Sequence, residues 1–150
     1  MLKTYSRRIA DVHLAGPTSF APCVRKAVEL VKAAKARELT ICLIIADGPP
    51  GPSASARAET EAALVEASKL PIVFVIVGVG DGPWAGMEKL DDAVAGRKFD
   101  NVNFVLFSSI AAKAAEQKVG FAGALAMECL SELPQAFKDC TRLNMFGKKW

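Results

Sequence analysis

Three short apolar segments, LTICLIIA (Leu39–Ala46), PIVFVIVGV (Pro71–Val79) and VNFVLF (Val102–Phe107), constrain what this chain can fold into more than any other feature. The first two are almost continuously apolar and rich in β-branched residues, the composition of strands buried on both faces. The stretches between them have a different period. SARAETEAALVEASKL is alanine-rich with Ala58, Ala62 and Val65 at helical spacing, and WAGMEKLDDAVA is helical in period as well. Pro22–Ala36 reads as a helix with Val24, Val28 and Val31 along one side. Gly120–Leu133 and Pro134–Leu143 read as two more, because proline is tolerated in a first helical turn but not in mid-helix.

Helices alternating with strands predict right-handed βαβ units. The expected fold class is α/β: three-layer α/β/α, doubly wound and Rossmann-like, with a short, mainly parallel sheet of about three strands. No internal repeat or linker is visible, so residues 1–150 read as one domain. Doubly wound sheets commonly carry about five or six strands. Either the first residues supply another strand, or Leu39–Ala46 has an unpaired apolar edge that drives self-association or pairing with another chain.

Composition narrows the function classes. With 150 residues, 51% of them hydrophobic and 23% charged, the chain is long and apolar enough for a packed core. A net charge of +3 is too mild to announce a nucleic-acid binder, and the basic residues are spread as solvated faces. The four cysteines, Cys23, Cys42, Cys129 and Cys140, contain no C-x-x-C pair. They predict reduced, buried thiols of a cytosolic protein rather than structural zinc or a RING module. The start MLKTYSRRIADVH has no apolar signal region, and no uncharged apolar run reaches the ~18 residues needed to cross a bilayer. A cytoplasmic location is expected.

The glycine-rich exit of the second strand, VGVGDGPW (Val77–Trp84), raises the question of a phosphate-binding loop. It offers G-x-G-x-G with Pro83 where the dinucleotide fingerprint wants glycine. The following strand ends in LFSS, with Ser108 and Ser109 and no ribose-binding carboxylate. A tight strand-to-helix turn, with Asp81 as a cap and Pro83 in the first helical turn, accounts for the same residues. The lone histidine, His13, reads as solvent-facing or part of a strand, and no catalytic residue is assigned. Asp91 and Asp92 are adjacent on a helix and point in different directions, which gives poor support for a paired-carboxylate site. Thr18, in AGPTSFAP, and Asp47, in IIADGPP, both fall at the C-terminal edge of the sheet, where doubly wound folds bind ligands. Hydroxyl and carboxylate are hard oxygen donors suited to Mg²⁺ or Ca²⁺. The same residues also fit a helix cap, from Thr18 or Ser19, and a turn opened by Asp47.

LAGPTSFAPCVRKAVELV, ICLIIADG, EASKLPIVFVIVGVGDGPWAGMEKLDD, FDNVNFVLFSSI and ALAMECLSELPQAFK occur in that order and together span about Leu14 to Phe137. This series resembles the von Willebrand factor A (vWA) domain of copines and of copine-like plant RING ubiquitin ligases. The resemblance implies a doubly wound fold with a metal-ion-dependent adhesion site (MIDAS) assembled from three loops: a D-x-S-x-S sequence, a threonine and an aspartate. Thr18 and Asp47 match the second and third. The first has no match, since the nearest string, Gly51-Pro52-Ser53-Ala54-Ser55, has glycine in place of the aspartate and lies in another loop. The chain therefore reads as the C-terminal half of the family domain, with weak Mg²⁺ or Ca²⁺ binding at most.

The expected function is that of a non-enzymatic protein-binding module with an incomplete adhesion site. The alternatives are a subunit or fragment of a copine-like ubiquitin ligase, acting through a RING on another chain, and a small Rossmann-like nucleotide-binding enzyme. Membrane binding by this chain alone is not expected, because the C2 domains of copines have no counterpart in it.

Overall fold

The computed structural model describes residues 2–13, 18–34, 38–51 and 53–147. Helix α1 (Leu2–Arg8) is followed by a 3-10 turn, Ile9–Asp11, and by α2 (Ala21–Ala33). Strand β1 (Thr40–Ala46), α3 (Ala54–Ala67), β2 (Ile72–Gly78), α4 (Ala85–Asp92) and β3 (Val102–Leu106) come next. A second 3-10 turn, Phe107–Ser109, leads into α5 (Ile110–Gln117), α6 (Phe121–Leu130) and α7 (Leu133–Arg142). The three strands form a parallel sheet in the order β1-β2-β3, with Ile44 beside Ile76 and Ile76 beside Phe104.

Helices cover both faces, so the expected α/β/α layering holds. On one face, Val24, Val28 and Val31 of α2, Ala63, Leu64 and Ala67 of α3, and Met87 and Leu90 of α4 pack on Ile72, Phe74 and Ile76 of β2. On the other, Ile110, Ala114, Ala124, Ala136 and Cys140, from α5, α6 and α7, pack on Val73, Val75, Val77 and Val105. Every residue of β2 is buried, as its uninterrupted apolar run requires of a central strand. Removing each large side chain of this kind from water contributes about 1.5–3 kcal/mol, which makes β2 the main anchor of the fold.

Polar side chains stitch the layers where apolar packing stops. The buried Asn101 amide donates to the Leu64 carbonyl, 3.1 Å away, and joins the entry of β3 to α3. The Asn103 amide donates to the Glu128 and Cys129 carbonyls at 3.0 and 3.3 Å, and joins β3 to α6. The Ser53 hydroxyl caps α3 by accepting from the Ala56 N–H at 3.1 Å.

Five expectations need correction. The opening residues form a helix and supply no strand to the sheet. β1 is not buried on both faces: it lies at the sheet edge, and its residues alternate between partly covered and exposed. The buried side of α3 is Thr60, Ala63, Leu64 and Ala67, whereas Ala58 and Ala62 face solvent. α4 starts at Ala85 after an N-cap at Trp84, so Asp81 is no cap and Pro83 precedes the helix. Of the four free cysteines, expected to be buried, only Cys140 is; Cys42 and Cys129 are partly buried and Cys23 is exposed. No helix among the described residues is long and apolar enough to cross a membrane.

Candidate functional site

Parallel strands deliver their carboxyl ends, and the loops that leave them, to one rim of the sheet. Thr18 and Asp47 both lie on loops of this rim and both are exposed. Neither Thr18 nor Ser19 caps α2, whose N-cap is Phe20 with no side-chain hydrogen bond. What joins their loops is Gly51. It sits at φ +58°, and a side-chain carbon added there would come within 2.8 Å of Ala56 Cβ and 3.1 Å of the Thr18 carbonyl oxygen. Only glycine fits this left-handed, crowded position without strain. On the other side of the same loop, Pro49 packs against Gly86 in the first turn of α4. Gly51 and Pro49 thus tie this loop to the entry to α2 and to the start of α4.

The glycine-rich exit of β2 borders this rim and has a packing explanation. A carbon added at Gly78 would lie 2.8 Å from the Trp84 indole and 2.9 Å from the Phe104 ring. Those two rings pack against each other with centroids 5.7 Å apart. Gly78 is a seat for Trp84, whose indole also packs against Gly82. The fingerprint residues read above as a tight strand exit do that job.

Among the described residues, the group of three acids whose oxygens come within ligand reach of one another is Asp91, Asp100 and Glu132. Sequence reading missed this group, although it separated Asp91 from Asp92 correctly. The three come from the end of α4, the loop before β3 and the N-cap of α7. The Arg97 guanidinium, 9% exposed, sits among them: it pairs with Asp100 at 2.8 Å and donates to the Asp91 backbone carbonyl at 2.5 Å. The partly buried Asp91 carboxyl is pushed up to about 7. Burial is the main cause; a hydrogen bond from the Phe104 backbone N–H opposes it, and the charges of Glu132, Asp100 and Asp92 add to it. Glu132 is also raised, by burial first and then by Asp100 and Asp92. The Asp91 Oδ1 atom is buried without a hydrogen-bond partner.

This arrangement has the chemistry of a sheet-edge guard. On β2, the Phe74 N–H donates to the Asn101 carbonyl, so in the parallel ladder residues 101, 103 and 105 of β3 turn their backbone groups toward β2. Phe104 turns its N–H outward, where Asp91 receives it. The Asp91 carboxyl thereby occupies an outward backbone donor of β3, and a carboxylate at that position disfavours another strand.

Other reactive groups are quiet. Burial holds the Cys42 and Cys140 thiols up at about 11, which keeps them protonated at neutral pH. His13 is exposed. Thr18 and Asp47 supply two oxygen donors, and no described acid joins Asp47 in a group of three. Two donors do not fill the shell of about six or more oxygens that Mg²⁺ or Ca²⁺ takes, so the described rim does not fit a closed metal cage.

Comparison with known proteins fits these observations. Residues 1–149 match the copine family. The chain is 38% identical over 157 residues to the E3 ubiquitin-protein ligase RGLG2 of Arabidopsis thaliana, an alignment covering 99% of this chain and 33% of that protein. It is 36% identical over 155 residues to the E3 ubiquitin-protein ligase RGLG1 of the same plant, covering 98% of this chain and 31% of the relative. Copine family protein 1 of Caenorhabditis elegans is 34% identical over 148 residues, covering 99% of this chain and 13% of the relative. The chain therefore spans about a third or less of the length of each of these relatives. By the extent of the match and the order of its segments, the chain belongs to the copine family.

Proposed function

We propose that this copine-family chain is a non-enzymatic protein-binding module, and that it meets its partner through the rim carrying Thr18, Asp47 and the loop and helix start of the stretch 48–55. The observation that carries this reading is the clamping of that loop. Gly51 against the Thr18 carbonyl and Pro49 against Gly86 hold an exposed, polar-edged surface in one shape, and a preorganised surface loses less entropy on binding. Thr18 and Asp47 act here as hydrogen-bonding groups for a protein surface. Mg²⁺ or Ca²⁺ would add only a weak bridge, through these two donors and oxygens of the partner.

The likeness to RGLG2 and RGLG1 favours a second reading, in which the chain is the partner-recognising part of a ubiquitin ligase. The two readings share a surface and differ in context. The test begins with partners captured on the immobilised chain, each then purified and titrated against the wild type, Asp47→Lys and a helix-face control, Glu59→Lys. Asp47→Lys is expected to weaken binding about tenfold, equivalent to about 1.4 kcal/mol, with no change for the control. Equal affinities for all three proteins would refute the rim as the binding surface. Added alone to ubiquitin-activating and ubiquitin-conjugating enzymes, the chain is expected to produce no ubiquitin transfer, and transfer would refute the non-enzymatic reading.

A further inference from the structure

The helix α7 is lightly anchored. It buries Ala136 and Cys140, two small side chains, with Leu133 partly covered beside them. So little apolar area leaves its docking at the low end of the stabilities found in a domain. Glu132 stands at its N-cap without a capping hydrogen bond. The Glu132 carboxyl instead lies within 4.8 Å of the Asp91 and Asp100 oxygens. Asp100, Glu132, Gln135, Ala136 and Asp139 also line a cavity of 260 Å³, room for several waters beside the first turns of α7.

The charges that meet here are unbalanced. Asp91 and Asp92 come from α4, Arg97 and Asp100 from the loop before β3, and Glu132 from the start of α7. Glu128 of α6 also acts on Glu132, but is itself paired with Lys113 of α5. Asp139 is taken up by Gln135 and Arg142. Arg97 pairs with the Asp100 carboxylate and spends its other donors on the Asp91 and Val94 backbone carbonyls. That leaves the Asp91 and Glu132 carboxyls facing each other, with the Phe104 N–H of β3 as the donor to Asp91.

We propose that Asp91, Arg97, Asp100 and Glu132 form a proton-operated latch, closed on the start of α7 while Asp91 keeps its proton and released when Asp91 loses it. A neutral Asp91 is tolerated between Asp100 and Glu132. Once it ionises, three carboxylates share one guanidinium in a partly buried space. Repulsion then moves the member on the most lightly anchored element, Glu132, and water from the cavity solvates the separated charges. Linkage sets the direction. Burial first, and then neighbouring acids, raise both Asp91, to about 7, and Glu132 in the closed arrangement. Opening returns both toward ordinary values and so releases protons. It is indifferent to pH below about 4, grows up to about pH 7, and levels off above.

Amide hydrogen exchange, corrected at each pH for the intrinsic rate, reads this opening. In the wild type near pH 8, the α7 amides are expected to exchange about tenfold ahead of those of β2, which report global unfolding, and their opening should follow the pH course just given. Asp91→Asn keeps an acceptor for the Phe104 N–H and cannot ionise. Its α7 amides should exchange about tenfold more slowly than those of the wild type near pH 8, and alike near pH 4. Glu132→Gln should slow them in the same direction. α7 amides that exchange only together with β2, that open no more at pH 8 than at pH 4, or that ignore both substitutions near pH 8 would each overturn the proposal.

Discussion

Replacing Asp91 with asparagine is expected to stabilise the fold above neutral pH and to change it little in acid. The Asp91 carboxyl stands at about 7 in the folded chain against an ordinary value of 3.8, mainly because burial disfavours its charge. A raised carboxyl favours the folded state while it is protonated. Below about pH 4 the group is protonated in both states and costs nothing. As pH climbs, the unfolded chain ionises first, so unfolding releases a proton and stability falls. Above about pH 7 both states are ionised, and the folded one carries the full cost. At 1.36 kcal/mol per unit, the rise would correspond to about 4 kcal/mol for a dry site, and partial solvation of Asp91 reduces this to about 2 kcal/mol. Asparagine keeps an oxygen for the Phe104 N–H and carries no charge toward Asp100 and Glu132. Urea denaturation near pH 5 and pH 8 gives the difference between wild type and variant at each pH, which removes the parallel contribution of Glu132. Asp91→Asn is expected to be the more stable protein near pH 8, by about 2 kcal/mol, with a smaller gain near pH 5 and none below about pH 4. A variant less stable than the wild type near pH 8 would show that the ionised carboxylate has a favourable partner, and the edge-guard account would be wrong.

Two further substitutions test the joints of the structure. Gly51→Ala forces a side chain into a left-handed position 2.8 Å from Ala56 Cβ and 3.1 Å from the Thr18 carbonyl. It should lower stability by about 1–3 kcal/mol in thermal unfolding, and amide exchange should accelerate in the loops it joins before the rest of the fold. Asn101→Ala removes the side-chain bond that ties the entry of β3 to the Leu64 carbonyl, which keeps its bond from the Ser68 N–H, and should cost about 0.5–1.5 kcal/mol in urea unfolding. Indifference to Asn101→Ala would mean that this bond does not hold β3 to α3.

The parts of the fold that were legible in sequence are those where one side-chain property decides. β2 announces itself by an unbroken apolar run rich in β-branched residues, and α2 by valines at positions 24, 28 and 31, all buried. α3 was placed correctly and its face was not. Its alanines at 58 and 62 carry too little apolar area to mark a side, whereas Leu64, 1% exposed, fixes the buried stripe that runs through Thr60, Ala63 and Ala67. α5 went unread for the same reason: IAAKAAEQ has one large apolar residue, Ile110, and owes its place to packing against β2 and β3. The VGVGDGPW glycines raised the question of phosphate because a glycine can make room for a ligand or for a side chain. The sequence does not say that Trp84 folds back onto Gly78.

The least legible feature is also the one that organises the molecule. Asp91, Asp100 and Glu132 lie far apart in sequence, and each alone looks like an ordinary surface acid. They meet only because α4 ends and α7 begins beside the loop that enters β3, so neither periodicity nor spacing could have grouped them. Once grouped, they give the apolar run of β1 a sharper meaning. An apolar edge strand on its own is compatible with a poorly protected fold. An apolar edge on a sheet whose opposite edge holds three acids and a buried arginine is an asymmetry between the two borders of a single layer. Strand addition is opposed at β3 by desolvating and crowding carboxylates.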